Sequence, residues 1–177
     1  MPEINQNALK FHCDLILNVF QHRDTVGIKT LKSYINHSYR IASKMVTENS
    51  ESKDDWTEVR DAKFWSKDAA KLWQETNLPD NQKRKMLTDE HRIPLGVFTE
   101  MLLNGYFHST EDIYNYITHY GMYCVVTKDE NKRLNGKELK CKTAKTIKEA
   151  EERYIKAGIE IIEFKAERNS WKATNVC

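Results

Sequence analysis

Apolar residues recur at helical spacing from the start of the chain. Between Asn7 and His22, Leu9, Cys13, Ile16, Leu17 and Phe20 fall on one face, and further on Ile28, Leu31, Ile35, Tyr39, Ala42 and Met45 do the same. The Asp24-Thr25 turn between them predicts an αα-hairpin. The run from Glu48 to Asp55 is polar and aperiodic, which predicts a linker. The expected organisation is an N-terminal helical hairpin over residues 1–50 and a second unit over 56–177, the two packing apart or as a single domain.

The second unit alternates helical and strand-like patterns. A helix is predicted over Ser66–Thr76 with Ser66 as N-cap and Trp65 and Trp73 as core anchors. The charged run Asp80–Lys85 leads into a short strand near whose end His91 lies, because Pro94 pushes Ile93 towards extended geometry. Helices follow over Leu95–Leu103 and over Thr110–Tyr120, the latter with Thr110 as cap and Gly121 at C′. Met122–Val126 is β-rich and strand-like, and a polar helix starts after it, running through Asn131–Leu134 to Asn135-Gly136. Thr146–Ala157 reads as a helix ended by Gly158, and Ile159–Phe164 as a last strand. The predicted class is α+β, mainly α-helical.

Composition narrows the function classes. Among 177 residues, 40% are hydrophobic and 31% charged, with only six glycines and three prolines, which disfavours a loop-rich all-β design. None of the four cysteines forms a C-x-x-C pair, so a zinc ribbon is excluded; Cys13 and Cys124 sit in apolar surroundings and are expected in the core. A reducing, cytoplasmic setting is expected. No apolar run reaches the roughly 18 residues of a membrane span, so no membrane partner is expected. Net charge is only +2, but Lys128–Lys145 holds seven basic residues against three acidic ones. Such a strip is either a solvated surface or a phosphate-facing one.

The candidate chemistry lies in Glu90-His91-Arg92-Ile93-Pro94. An imidazole with an ordinary pKa of about 6.5 suits a general base, and the adjacent carboxylate suits a hard divalent cation. Adjacent side chains of a strand point to opposite sides unless a strand end or bulge re-aims them. Asn131, at the start of the later helix, is a candidate second oxygen ligand. Arg92, Lys128, Lys132, Arg133, Lys137 and Lys140 are candidate phosphate contacts.

Across about residues 86–136 this arrangement resembles an HNH endonuclease of the His-Me finger superfamily. In that family a D/E-H-x-x-P motif ends the first strand, and a final His or Asn lies on the helix after the second. The resemblance implies a ββα-metal-like core, here with a helical insertion between its strands. It assigns Glu90 and Asn131 as metal ligands, His91 as the base and magnesium or manganese as the ion. The implied activity is hydrolysis of nucleic acid, DNA for preference. The competing expectation is a non-catalytic nucleic-acid-binding or protein-inhibiting module of phage or defence type. The N-terminal helices are a candidate homodimer surface.

Overall fold

The computed structural model describes residues 6–25, 27–48, 62–136, 139 and 146–166. Most of the expected linker, and Lys137 and Lys140, lie outside the described residues. Helices α1 (Gln6–Gln21) and α2 (Ile28–Glu48) form the predicted hairpin. Strand β1 (Phe64–Ser66) runs straight into α3 (Lys67–Glu75), and α4 (Asp80–Lys85) precedes β2 (Leu87–His91). Helices α5 (Leu95–Leu103) and α6 (Thr110–Tyr120) are inserted before β3 (Tyr123–Thr127). Then come α7 (Lys128–Leu134), α8 (Ile147–Lys156) and β4 (Ile161–Glu163).

The architecture is α+β and mainly helical. The sheet formed by the described residues has the strand order β2-β3-β1-β4, with β1 parallel to β3 and the outer pairs antiparallel. The two expected strands β2 and β3 pair directly, and the insertion between them is helical. Three-residue β1 is a strand that the sequence pattern does not predict, because so short a run has no alternation to detect; it nonetheless holds a central position, with Trp65 fully buried. The Asp80–Lys85 run is a helix rather than a plain polar lead-in, started after Pro79 with Asp80 in its first turn.

The hairpin does not bury its apolar face alone. Leu9, Cys13 and Ile16 of α1 and Leu31, Ile35 and Tyr39 of α2 share one cluster with Phe98 and Leu102 of α5 and Ile113 and Ile117 of α6. Thr110 joins α1 through a hydrogen bond from its hydroxyl to Asp14. The α6 N-cap is Ser109, whose hydroxyl accepts from the Asp112 N–H at 3.1 Å while Asp112 accepts from Ser109 N–H in return. Gly121 closes α6 in the right-handed region, φ −74°, not the left-handed one. Its requirement is closeness: a Cβ there would lie 2.7 Å from the Ile117 carbonyl oxygen. On the sheet, Trp65, Trp73 and Val125 form a second cluster on one face, and Cys124, Val126, Leu134 and Tyr154 a third on the other. No helix among the described residues is long and apolar enough to cross a membrane.

Candidate functional site

Strand alternation decides what β2 can assemble. Leu87, Asp89 and His91 leave one face of the strand, and Thr88 and Glu90 the other. The pairing with β3 is regular over the whole strand, from Leu87↔Thr127 to His91↔Tyr123, and continues with Arg92 N–H donating to Met122 O at 3.3 Å. No bulge re-aims either side chain, so the sheet itself separates Glu90 from His91.

His91 points to the α2 side. Its ring lies between Tyr123, 4.4 Å centroid to centroid, and Tyr39 of α2, at 5.7 Å. Burial, reinforced by the positive charges of Arg40 and Arg153, depresses its imidazole to about 4. It is therefore neutral at pH 7, and a poorer base than a free histidine. Its Nδ1 is buried with no hydrogen-bond partner among the described residues. The carboxylate on this same face is Asp89, flanked by the charges of Arg84 and Lys44; burial outweighs both and raises its pKa.

Glu90 points the other way, opposite Cys124. Arg153 of α8, only 3% exposed, donates Nη2–H to Glu90 Oε1 at 3.0 Å and also approaches the His91 carbonyl oxygen at 3.4 Å. Burial raises the Glu90 pKa, and Arg153 opposes that rise. The pair bolts α8 to the end of β2. Arg92 makes a second bolt, donating to Glu151 at 2.8 Å with its guanidinium 4.7 Å above the Phe64 ring.

Asn131 lies on α7, where its side-chain oxygen accepts from Asn135 Nδ2 at 2.8 Å. The α7 N-terminus is held by a capping box between Thr127 and Glu130, and the buried Glu130 carboxylate also accepts from Ser66 Oγ at 2.6 Å. Glu90, His91 and Asn131 thus each have a separate local environment: an arginine, two tyrosine rings and an asparagine. These residues do not fit a shared divalent cation as placed. Among the described residues no group of three or more His, Cys, Asp or Glu side chains is arranged to hold a metal.

The expected basic strip is partly neutralised where it is described. Lys132 pairs with Asp129 at 2.9 Å and Arg133 approaches Glu130 at 3.9 Å, while Lys128 is exposed. A more continuous basic surface runs along α2. Lys29, Lys32, Ser33, His37 and Arg40 are exposed on it and Lys44 is half-buried, and no carboxylate occurs from 28 to 47. The sequence carries this stripe between the apolar positions whose spacing marks the helix. Arg153 was readable too: on a helix whose inward positions are Ala150, Arg153 and Tyr154, a cation needs a carboxylate partner.

No protein-family model matches this chain, and comparison with curated proteins and with solved structures likewise finds no match.

Proposed function

We propose that this protein is a non-catalytic nucleic-acid-binding module whose contact face is the exposed side of α2. The observation that carries the reading is the basic stripe itself, uninterrupted by any carboxylate from 28 to 47. Other helices of the chain intersperse their charges: α3 pairs Lys71 with Glu75 and α8 pairs Lys156 with Glu152, each four residues apart. On α2, Lys29, Lys32 and Arg40 make no ion pair among the described residues. From Lys29 to Lys44 the helix rises about 22 Å, long enough to track several phosphates of a duplex. Arg40 and Lys44 also adjoin the β2 edge, where Arg84 continues the positive surface.

The test is binding of a fluorescently labelled DNA duplex in EDTA, followed by anisotropy over a salt series. With about four phosphates engaged, log K should fall against log salt with a slope near −3.6. The variant Lys29→Ala/Lys32→Ala/Arg40→Ala should lose about three units of that slope while keeping its circular dichroism. Equal affinity and slope in wild type and variant would remove α2 as the interface.

The hydrolytic reading keeps one favouring observation. An antiparallel pair, β2 and β3, leads without a break into α7, the element order the HNH resemblance implies. It further requires Glu90 to leave Arg153 and cross to the face of His91. Scission of plasmid DNA with Mg²⁺ or Mn²⁺, lost in His91→Ala, would favour hydrolysis over simple binding. The exposed Phe11 and Tyr34 of the hairpin, at 62% and 56%, are what supports self-association there.

A further inference from the structure

Exposure divides α2 into two parts. From Lys29 to Arg40 only Leu31, Ile35, Ser38 and Tyr39 are buried, whereas from Ile41 to Thr47 no residue is exposed. The C-terminal part is the anchor. Ala42 and Val46 lie in the main core, and Thr47 Oγ1 accepts from the Tyr123 N–H of β3 at 2.8 Å. The N-terminal part stands clear of the protein on a wide front. Lys32, Ser33 and Tyr34 are all exposed, and three successive residues of a helix span about 200° of its circumference. A helix bared on a narrow stripe lies along a surface; one bared over such an arc fits into a groove.

The bared part sorts its chemistry by position. Ser33, Asn36 and His37 carry short hydrogen-bonding side chains: a hydroxyl, an amide and an imidazole. Spaced at i, i+3 and i+4, they fall within an arc of about 100°. Cations bracket them, Lys29 and Lys32 before and Arg40 after, and no carboxylate occurs from 28 to 47. Hydrogen-bonding groups in the middle and positive charge around them call for a groove with anionic walls and a polar floor. The major groove of B-form DNA is such a groove: about 12 Å wide, it admits an α-helix and presents the donors and acceptors of the base edges. The major groove of A-form RNA is too deep and narrow for side chains to read. From Ser33 to His37 the helix rises about 6 Å, the height of about two base-pair steps.

We propose that the N-terminal half of α2 enters the major groove of B-form DNA and reads sequence there. This rests on the nucleic-acid reading of α2 and narrows it to one class of ligand. Asn36 pairs its amide with N6 and N7 of an adenine, His37 donates to N7 or O6 of a neighbouring guanine, and Ser33 meets the next base edge. Lys29, Lys32 and Arg40 hold phosphates of the groove walls and fix the register. The preferred site holds an A·T pair beside a G·C pair.

The full chain selects duplexes in EDTA from a pool with eight randomised base pairs. The selected duplex is then compared by anisotropy with a scrambled duplex of equal length and composition, and with its double-stranded RNA counterpart. The expected result is enrichment of adjacent A·T and G·C pairs, with binding about tenfold or more tighter than to either comparison. Asn36→Ala should lose about tenfold on the selected duplex and become indifferent at the A·T position, with the salt slope retained because no cation is removed. His37→Ala, at an exposed position, should become indifferent at the G·C position. Lys32→Ala should lower the slope by about one and keep the preference. Steep salt dependence without enrichment, or equal binding of the RNA, would overturn groove reading and leave phosphate binding by α2 standing. Sequence preference kept by both Asn36→Ala and His37→Ala would overturn it as well. Absence of any duplex binding at low salt would overturn both this inference and the reading beneath it.

Discussion

Replacing His91 with phenylalanine should remove a defined piece of acid sensitivity. The imidazole sits between Tyr39 and Tyr123 and is depressed from 6.5 to about 4 by burial, then by Arg40 and Arg153. In the unfolded chain it takes up its proton near pH 6.5, in the folded chain only near pH 4. Between those values the unfolded state binds more protons, so this group makes stability rise with pH and fall on acidification. From pH 7.5 down to pH 5 the loss is about 2 kcal/mol. Asp89 and Glu90 act in the opposite direction: their raised carboxyl pKa values contribute stability at low pH that is lost as pH climbs above the ordinary carboxylate range. The difference between His91→Phe and wild type isolates the imidazole from both. Phenylalanine keeps an aromatic ring between the two tyrosines and removes the buried Nδ1 that lacks a partner. Urea unfolding at intervals from pH 7.5 to 5 supplies the two profiles. Relative to wild type, the variant should gain about 2 kcal/mol across that range, or roughly 4–8 °C in Tm. Parallel profiles would refute the assignment of His91 as a buried neutral ring, and would restore an imidazole with the ordinary pKa a general base needs.

Three further substitutions test the polar contacts that hold the sheet. Glu90→Gln and Arg153→Met should each cost about 3 kcal/mol, since each leaves a buried partner uncompensated, and the double variant should cost at least about 1 kcal/mol less than their sum; strict additivity in a denaturation cycle would deny the pair. Ser66→Ala removes both the α3 N-cap, which accepts from Ala69 N–H at 3.1 Å, and the hydrogen bond to buried Glu130, so it should cost about 2–4 kcal/mol in urea unfolding; a loss below 0.5 kcal/mol would show that the junction is not a shared anchor.

Periodicity made most of the helices legible, because α1, α2, α6 and α8 each bury one stripe and expose the rest. The strands β2 and β3 were legible from Pro94 and from the β-rich run after Gly121. What escaped was set by tertiary pairing. Three-residue β1 is a strand only because β3 and β4 flank it, and local preference carries no trace of that. The cap of α6 fell one residue early because Ser109 and Thr110 are chemically equivalent candidates, and only the reciprocal bond to Asp112 separates them.

The Glu90–His91 motif shows a different limit. Its residue types suit a metal and a base, but composition cannot say that a regular ladder runs through both and sends them to opposite faces. Asp89, which shares the face of His91, was in plain view two positions away. Arg153 was hidden by distance in sequence, although its place on an inward helix position already called for an acidic partner. The sequence also draws attention to the basic run after Lys128, where near neighbours Asp129 and Glu130 offset the charge, and away from α2, which carries no carboxylate from 28 to 47.

The central structural claim is that Glu90, His91 and Asn131 do not share an ion. Titration of the ¹⁵N-labelled chain with Mn²⁺, read from paramagnetic broadening of histidine ring signals, addresses it directly. The account predicts that His91 broadens no sooner than the exposed ring of His119. Selective loss of the His91 signals at substoichiometric Mn²⁺, suppressed by Glu90→Gln, would contradict it.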